Sequence, residues 1–317
     1  MEHKEISIRG LLVREVITHF SKEHLYSGKL NKAQPERPEY EPRWVAPTGF
    51  TMTRIAQPEF TMELLEYEKG NQELVILQLH GGGYIGEMRN IYRNFAVIYS
   101  EAADHCSVLT TDYRTAPEHP YPAAFEDAVN SYHWLLRNGY CGSQIVLAGD
   151  SAGGGLVLAL AQYLRDQDIE MPKGIIAMSP WTDQTASGES YDTNYEKDPL
   201  FGYSRESLIY NHEYAGDHDL KDPYISPLFG DFTGLPPILF QVGSVEMLLS
   251  DSADAAKKAK RQGVKVKLSI YEGMYHVFQM ALKLMPESKR AWEEVNQFLN
   301  VIRFGKELEN SSIIQHK

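Results

Sequence analysis

Residues 145–155 read Ile145-Val146-Leu147-Ala148-Gly149-Asp150-Ser151-Ala152-Gly153-Gly154-Gly155. An apolar run enters a glycine-flanked serine and leaves into 153–167, a segment of helix length. A strand turning straight into a helix through G-x-S-x-G is a nucleophile elbow: the serine sits at a strained turn, and the small residues beside it keep strand and helix from colliding. A glycine-rich phosphate loop would instead end in Lys-Ser/Thr or carry G-x-G-x-x-G with a downstream acid, and neither is present. Ser151 is therefore the candidate nucleophile.

The strand-then-helix rhythm continues on both sides of the elbow. Short β-rich apolar runs at 74–79, 107–111, 144–148, 174–178, 238–242 and 266–270 are mostly bounded by Gly, Pro or Asp and read as buried parallel strands. Helix-length segments at 92–104, 123–138, 153–167, 251–262 and 287–304 supply the crossovers that a parallel sheet requires. Residues 49–55 and 60–67 alternate like an antiparallel hairpin leading into this sheet. Two stretches fall outside the rhythm. Residues 1–45 give an amphipathic helix over 6–25 and then a connector containing Pro35, Pro38 and Pro42; residues 181–235 are irregular and rich in aromatic side chains. An insertion of that length inside a compact domain is expected to fold over something, and a lid is the natural reading.

Composition narrows the class. The chain has 317 residues, with 31 Lys+Arg against 43 Asp+Glu and a net charge of −12, which argues against polyanionic partners: no nucleic acid and no anionic membrane surface. At 43% hydrophobic and 23% charged it resembles an ordinary globular protein, not a disordered or fibrous one. No apolar run approaches the ~20 residues of a membrane span, and the first residues do not read as a signal peptide. Cys106 and Cys141 lack metal-ligand or redox spacing and are expected to be buried, unreactive thiols. These features point to a cytoplasmic protein without a metal, either a monomer or a homodimer.

A serine hydroxyl needs a base to take its proton and preorganised N–H donors for the oxyanion. The donors are suggested by Leu79-His80-Gly81-Gly82-Gly83-Tyr84, directly after the 74–79 run. The oxyanion hole is assigned to the N–H groups of Gly82, Gly83 and Ala152. Gly81 gives the loop its freedom and His80 fixes the loop through hydrogen bonds. In this architecture the order is Ser, then Asp or Glu, then His. Of eleven histidines, His276 alone follows the last strand-like run and precedes the last long helix. The acid should follow the 238–242 run: Glu246 is favoured, and Asp251, at the start of a helix where an N-cap role would explain it, is the alternative. Tyr84 and Trp181 are candidates to line a pocket.

His80-Gly81-Gly82-Gly83, the stretch 112–120, Gly149-Asp150-Ser151-Ala152-Gly153-Gly154, Ser179-Pro180-Trp181-Thr182-Asp183 and the stretch 273–278 together resemble the bacterial hormone-sensitive-lipase family of α/β-hydrolase esterases. The resemblance covers about residues 75–280 and is nearest to acetyl-hydrolase and monoterpene-lactone-hydrolase members, in which Glu can occupy the acid position. Thr115 stands where the family more often has Leu, and Ser250 where an acid is common. The resemblance implies an α/β-hydrolase fold, a mostly parallel eight-stranded sheet flanked by helices, with a helical cap. The catalytic core would be 46–180 and 236–317, and the cap 1–45 and 181–235. It further implies hydrolysis of small, short-acyl carboxylic esters without a cofactor, with Asp112, Arg114 and Glu118 forming a structural network beneath the oxyanion loop. Lactone or amide hydrolysis, or acyl transfer, could use the same residues. A ligand-binding protein on this fold is a further alternative; plant hormone receptors resembling the family have lost the histidine, which this chain retains.

Overall fold

Four of the runs, β3 (Val75–Leu79), β5 (Ile145–Asp150), β6 (Gly174–Met178) and β7 (Ile238–Gly243), are buried at every position, as expected where helices cover both faces of a parallel sheet. The computed structural model describes residues 6–26, 41–305 and 313–316; Pro35 and Pro38 of the expected connector lie outside them. The other strands are β1 (Phe50–Ala56), β2 (Thr61–Tyr67), β4 (Ser107–Asp112), β8 (Val266–Tyr271) and β9 (Ile313–His316). They form one sheet in the order β1-β2-β4-β3-β5-β6-β7-β8-β9. β1 pairs antiparallel with β2, and β2 antiparallel with β4, while the remaining pairs are parallel. Eight strands match the runs read from sequence. The ninth, β9, is a short addition along β8, with Leu268 opposite Ile313.

The period of two along each strand sorts side chains between two layers. Leu147, Ile175, Ala177 and Phe240 face one core with α3 (Ala123–Arg137), α4 (Ser151–Asp166) and α6 (Leu249–Arg261). Val146, Ala148, Ile176 and Leu239 face the other, where Phe95 and Tyr99 of α2 (Asn90–Ala102) meet Trp292, Val295 and Phe298 of α7 (Pro286–Arg303). α1 (Ile8–Tyr26) lies against a third, smaller cluster: Ile6, Val13 and Ile17 pack with Tyr271, Met274, Tyr275 and Phe278. Ser7 adds hydrogen bonds from its N–H and hydroxyl to Glu287 at the start of α7, at 2.8 and 2.9 Å. No helix among the described residues is long and apolar enough to cross a membrane.

Residues 181–235 are irregular, as their sequence reads, and hold little of the helix that the resemblance implies for a cap. They contain one helical turn, α5 (Ser190–Thr193), and short 3-10 turns at Leu208–Tyr210 and Pro227–Phe229. The local chemistry explains this. Asp183 accepts from the N–H groups of Thr185 and Ser187, Asp198 from those of Leu200 and Phe201, and Asp222 from that of Tyr224. Such side-chain-to-backbone bonds compete with helix, and Pro199, Pro223 and Pro227 interrupt it further. Two other expectations are corrected. Cys106 is buried, and burial pushes its thiol up to about 12, but Cys141 is exposed, with Sγ 3.0 Å from Ser143 Oγ at the start of a 3-10 turn. Arg114 does anchor a network, with Asp127 at 2.8 Å and Glu59 at 2.9 Å, yet Glu118 is exposed and Asp112 bonds Thr61 instead.

The elbow fits together only because α4 begins against the end of β3. A Cβ on Gly153 would stand 2.1 Å from the carbonyl oxygen of Leu79 and 2.5 Å from that of His80. Both are backbone atoms that cannot rotate away. Gly153→Ala is therefore expected to lose at least about 2 kcal/mol of stability in urea unfolding, by overpacking a junction that has no slack.

Candidate active site

Ser151, the first residue of α4, has φ +53°, a left-handed conformation rarely adopted by a non-glycine residue and held here by the strand and helix on either side. Its Oγ lies 2.9 Å from His276 Nε2, and His276 Nδ1 lies 2.8 Å from Glu246 Oε2. The three side chains come from the ends of β5, β8 and β7, which are close neighbours in the sheet. A carboxylate can only accept, so the proton on the imidazole resides on Nδ1, leaving the Nε2 lone pair facing the serine hydroxyl. Glu246 is fully buried. Its other oxygen accepts from Gly243 N–H at 2.5 Å and from Ser179 Oγ at 2.9 Å, so the desolvated carboxylate has a donor at each oxygen.

Asp251, the alternative acid, is not at the histidine. Its Oδ1 accepts from the N–H groups of Thr182 and Asp183 at 2.7 and 2.9 Å, tying α6 to the segment after β6. Sequence reasoning missed Ser179. Its hydroxyl donates to Glu246 and accepts from Val277 N–H at 3.1 Å, linking the acid to the residue after the histidine. The available signal was its place at the end of β6, inside a motif quoted only for resemblance.

The glycine loop after β3 lies beside the elbow. Gly82 and Gly83 have φ +114° and +63°, which side-chain-bearing residues rarely adopt. Among the described residues, neither their N–H groups nor that of Ala152 at the start of α4 bonds another backbone carbonyl. His80 supports this loop. Burial lowers its pKa to about 4, its Nδ1–H donates to the Gly81 carbonyl at 2.7 Å, and its ring stacks on Tyr113 at 4.1 Å. Tyr84 and Trp181, proposed pocket walls, are each only 1% exposed; Tyr84 stacks on Tyr214 at 3.7 Å, so both serve as buried backing. The insertion instead brings two partly exposed apolar groups to the centre. Leu208 sits so close to Gly83 that a Cβ there would meet its Cδ2 at 2.6 Å, and the Phe201 ring lies 4.8 Å from that of His276.

A family model described as alpha/beta hydrolase fold matches residues 76–280. An esterase of Acinetobacter venetianus and an acetyl-hydrolase of Streptomyces hygroscopicus are each 38% identical over 224 residues, 71% of this chain and 74% of theirs. The crystal structure of an esterase from the bacterial hormone-sensitive-lipase family is 35% identical, with a TM-score of 0.79 over 93% of this chain and 98% of that one. The chain belongs to the hormone-sensitive-lipase family of α/β-hydrolases. This hydrolase is a serine carboxylic ester hydrolase.

One charge in the hydrolase's site is not part of the Ser151-His276-Glu246 chain. Asp150, 2% exposed, has its pKa raised to about 7 by desolvation, offset in part by His276 and by the backbone N–H groups of Gly81 and Asp150 itself. Its folded pKa lies above the unfolded value of 3.8, so the stability it contributes is present at low pH and is lost as pH rises through about 7. Asp150→Asn removes this term. Urea unfolding at pH 5 and pH 8 should show wild type losing more stability between the two than the variant, by an amount of order 1–3 kcal/mol.

Proposed function

We propose that this enzyme cleaves small, neutral, short-acyl esters through an acyl-serine formed on Ser151. The observation that carries the reading is the 2.9 Å approach of Ser151 Oγ to the unprotonated nitrogen of His276, itself bonded to a buried carboxylate. His276 takes the serine proton at Nε2 as Oγ attacks the ester carbonyl. Glu246 holds the imidazole in the required tautomer and stabilises the imidazolium. The N–H groups of Gly82, Gly83 and Ala152 receive the oxyanion, a role in which one donor is worth about 10² to 10³ in turnover. Collapse expels the alcohol, which takes the proton from His276. Water, activated by the same nitrogen, then releases the acid.

The N-terminal segment 1–45 and residues 181–235 act as the cap, over a core of 46–180 and 236–317. Supporting this reading are Leu208 against Gly83, Phe201 beside His276, and Arg14 of α1 donating to the Gly273 carbonyl in the histidine loop. Leu208 and Phe201 crowd the space around the glycine loop and the histidine, which favours short acyl groups, and the relative named acetyl-hydrolase agrees with that preference.

A series of p-nitrophenyl acetate, butyrate and octanoate tests the reading. Wild type should prefer the first two, and Ser151→Ala should lower kcat by more than about 10⁴-fold on all of them. Glu246→Gln should cost about 10² to 10⁴-fold in kcat. Asp251→Asn should instead lower the melting temperature and leave kcat within about threefold. Equal hydrolysis by wild type and Ser151→Ala would remove the nucleophile.

A further inference from the structure

The loop that carries Glu246 is gripped by the cap insertion rather than by the core alone. Asp198, 0% exposed, accepts Met247 N–H on Oδ2 at 2.7 Å, and its Oδ1 accepts the N–H groups of Leu200 and Phe201 at 2.8 and 3.1 Å. Asn194 donates through Nδ2 to the carbonyls of Ser244 and Glu246, at 3.1 and 2.9 Å. Ser190 N–H donates to Ser250 Oγ at 2.8 Å, while Ser190 Oγ donates to the Met247 carbonyl at 2.6 Å and accepts Ser250 N–H at 2.8 Å. Residues 190–201 of the insertion thus hold the backbone on both sides of Glu246 and the backbone of Glu246 itself.

We propose that Asp198 is a positioning residue for Glu246, with Asn194 as its accomplice, so that the cap insertion sets the geometry of the acid. The proposal rests on Glu246 being the acid of the triad. Asp198 receives only donors, so its ionised form satisfies every contact, and nothing nearby in this clasp could replace the Met247 bond. If that bond is lost, Met247 N–H is left buried without an acceptor and the loop relaxes. A shift of the acid by a fraction of an ångström weakens the Glu246–His276 bond while leaving Ser151 and the glycine loop where they are. Asp198 touches neither substrate nor the reacting atoms; its effect passes through Glu246. The segment it organises also carries Phe201, which packs on His276. The same clasp accounts for Ser250, which stands where an acid is common in the family and here accepts a hydrogen bond from Ser190.

The test is a double-mutant cycle on p-nitrophenyl acetate. In the wild-type background Asp198→Asn should lower kcat by about 10- to 100-fold with KM changed by less than about threefold. In the Glu246→Gln background the same substitution should cost less than about threefold, because the group it positions is already impaired. Equal, multiplicative losses in both backgrounds would overturn the proposal, as would an unchanged kcat in Asp198→Asn. Should Asp198→Asn fail to fold, as judged by thermal melting, Asn194→Ala in the same cycle decides in the same way. A small loss in Glu246→Gln alone would count against the triad reading, and is thereby distinguished from failure of the clasp.

Discussion

At the junction of β3, β5 and α4, a helix starts within contact distance of a neighbouring strand's last carbonyl. That approach is possible only because residue 153 has no side chain. With α4 seated there, Ser151 is held at a positive φ and its hydroxyl faces His276. The glycine loop in turn is fixed from below by neutral His80 stacked on Tyr113, whose hydroxyl donates to the His80 carbonyl at 2.6 Å. One steric constraint therefore orders Ser151 and the start of α4 beside the glycine loop. The cost is visible in Asp150, a carboxylate buried by the same turn and pushed toward neutrality.

Burial of Glu246 imposes the second constraint. A carboxylate removed from water must be met by donors, and those donors come from β7 (Gly243), β6 (Ser179) and the loop after β8 (His276). The acid is therefore a node joining neighbouring strand ends, and the insertion's hold on its loop adds a fourth. Residues 190–201, joined to the Glu246 loop in this way, cannot shift as a free unit without disturbing the Glu246–His276 contact.

Much of this was legible in the sequence because it is written in local chemistry. The buried strands announce themselves as β-rich apolar runs, and the elbow as glycine spacing after one of them. Ser151, His276 and Glu246, which meet in space, could be located because each follows a recognisable run. Ser179, Asn194 and Asp198 could not. Their side chains acquire meaning only from groups some 50 to 100 residues away, and Asp198-Pro199 on its own reads as a turn. The insertion was legible as irregular, but the way its aspartates draw the backbone into turns was not, because which groups a side chain meets is set by the fold and not by its neighbours in sequence. Cys141 was misplaced for a similar reason: an apolar neighbourhood in sequence does not reveal which residue of a turn faces outward.

The contact between Ser7 and Glu287 joins residues 280 positions apart. Together with Ile6, Val13 and Ile17, it rests the start of the described chain on the loop and helix that bracket His276. The backbone on either side of His276 is thus buttressed by residues from the far end of the described sequence, independently of the elbow.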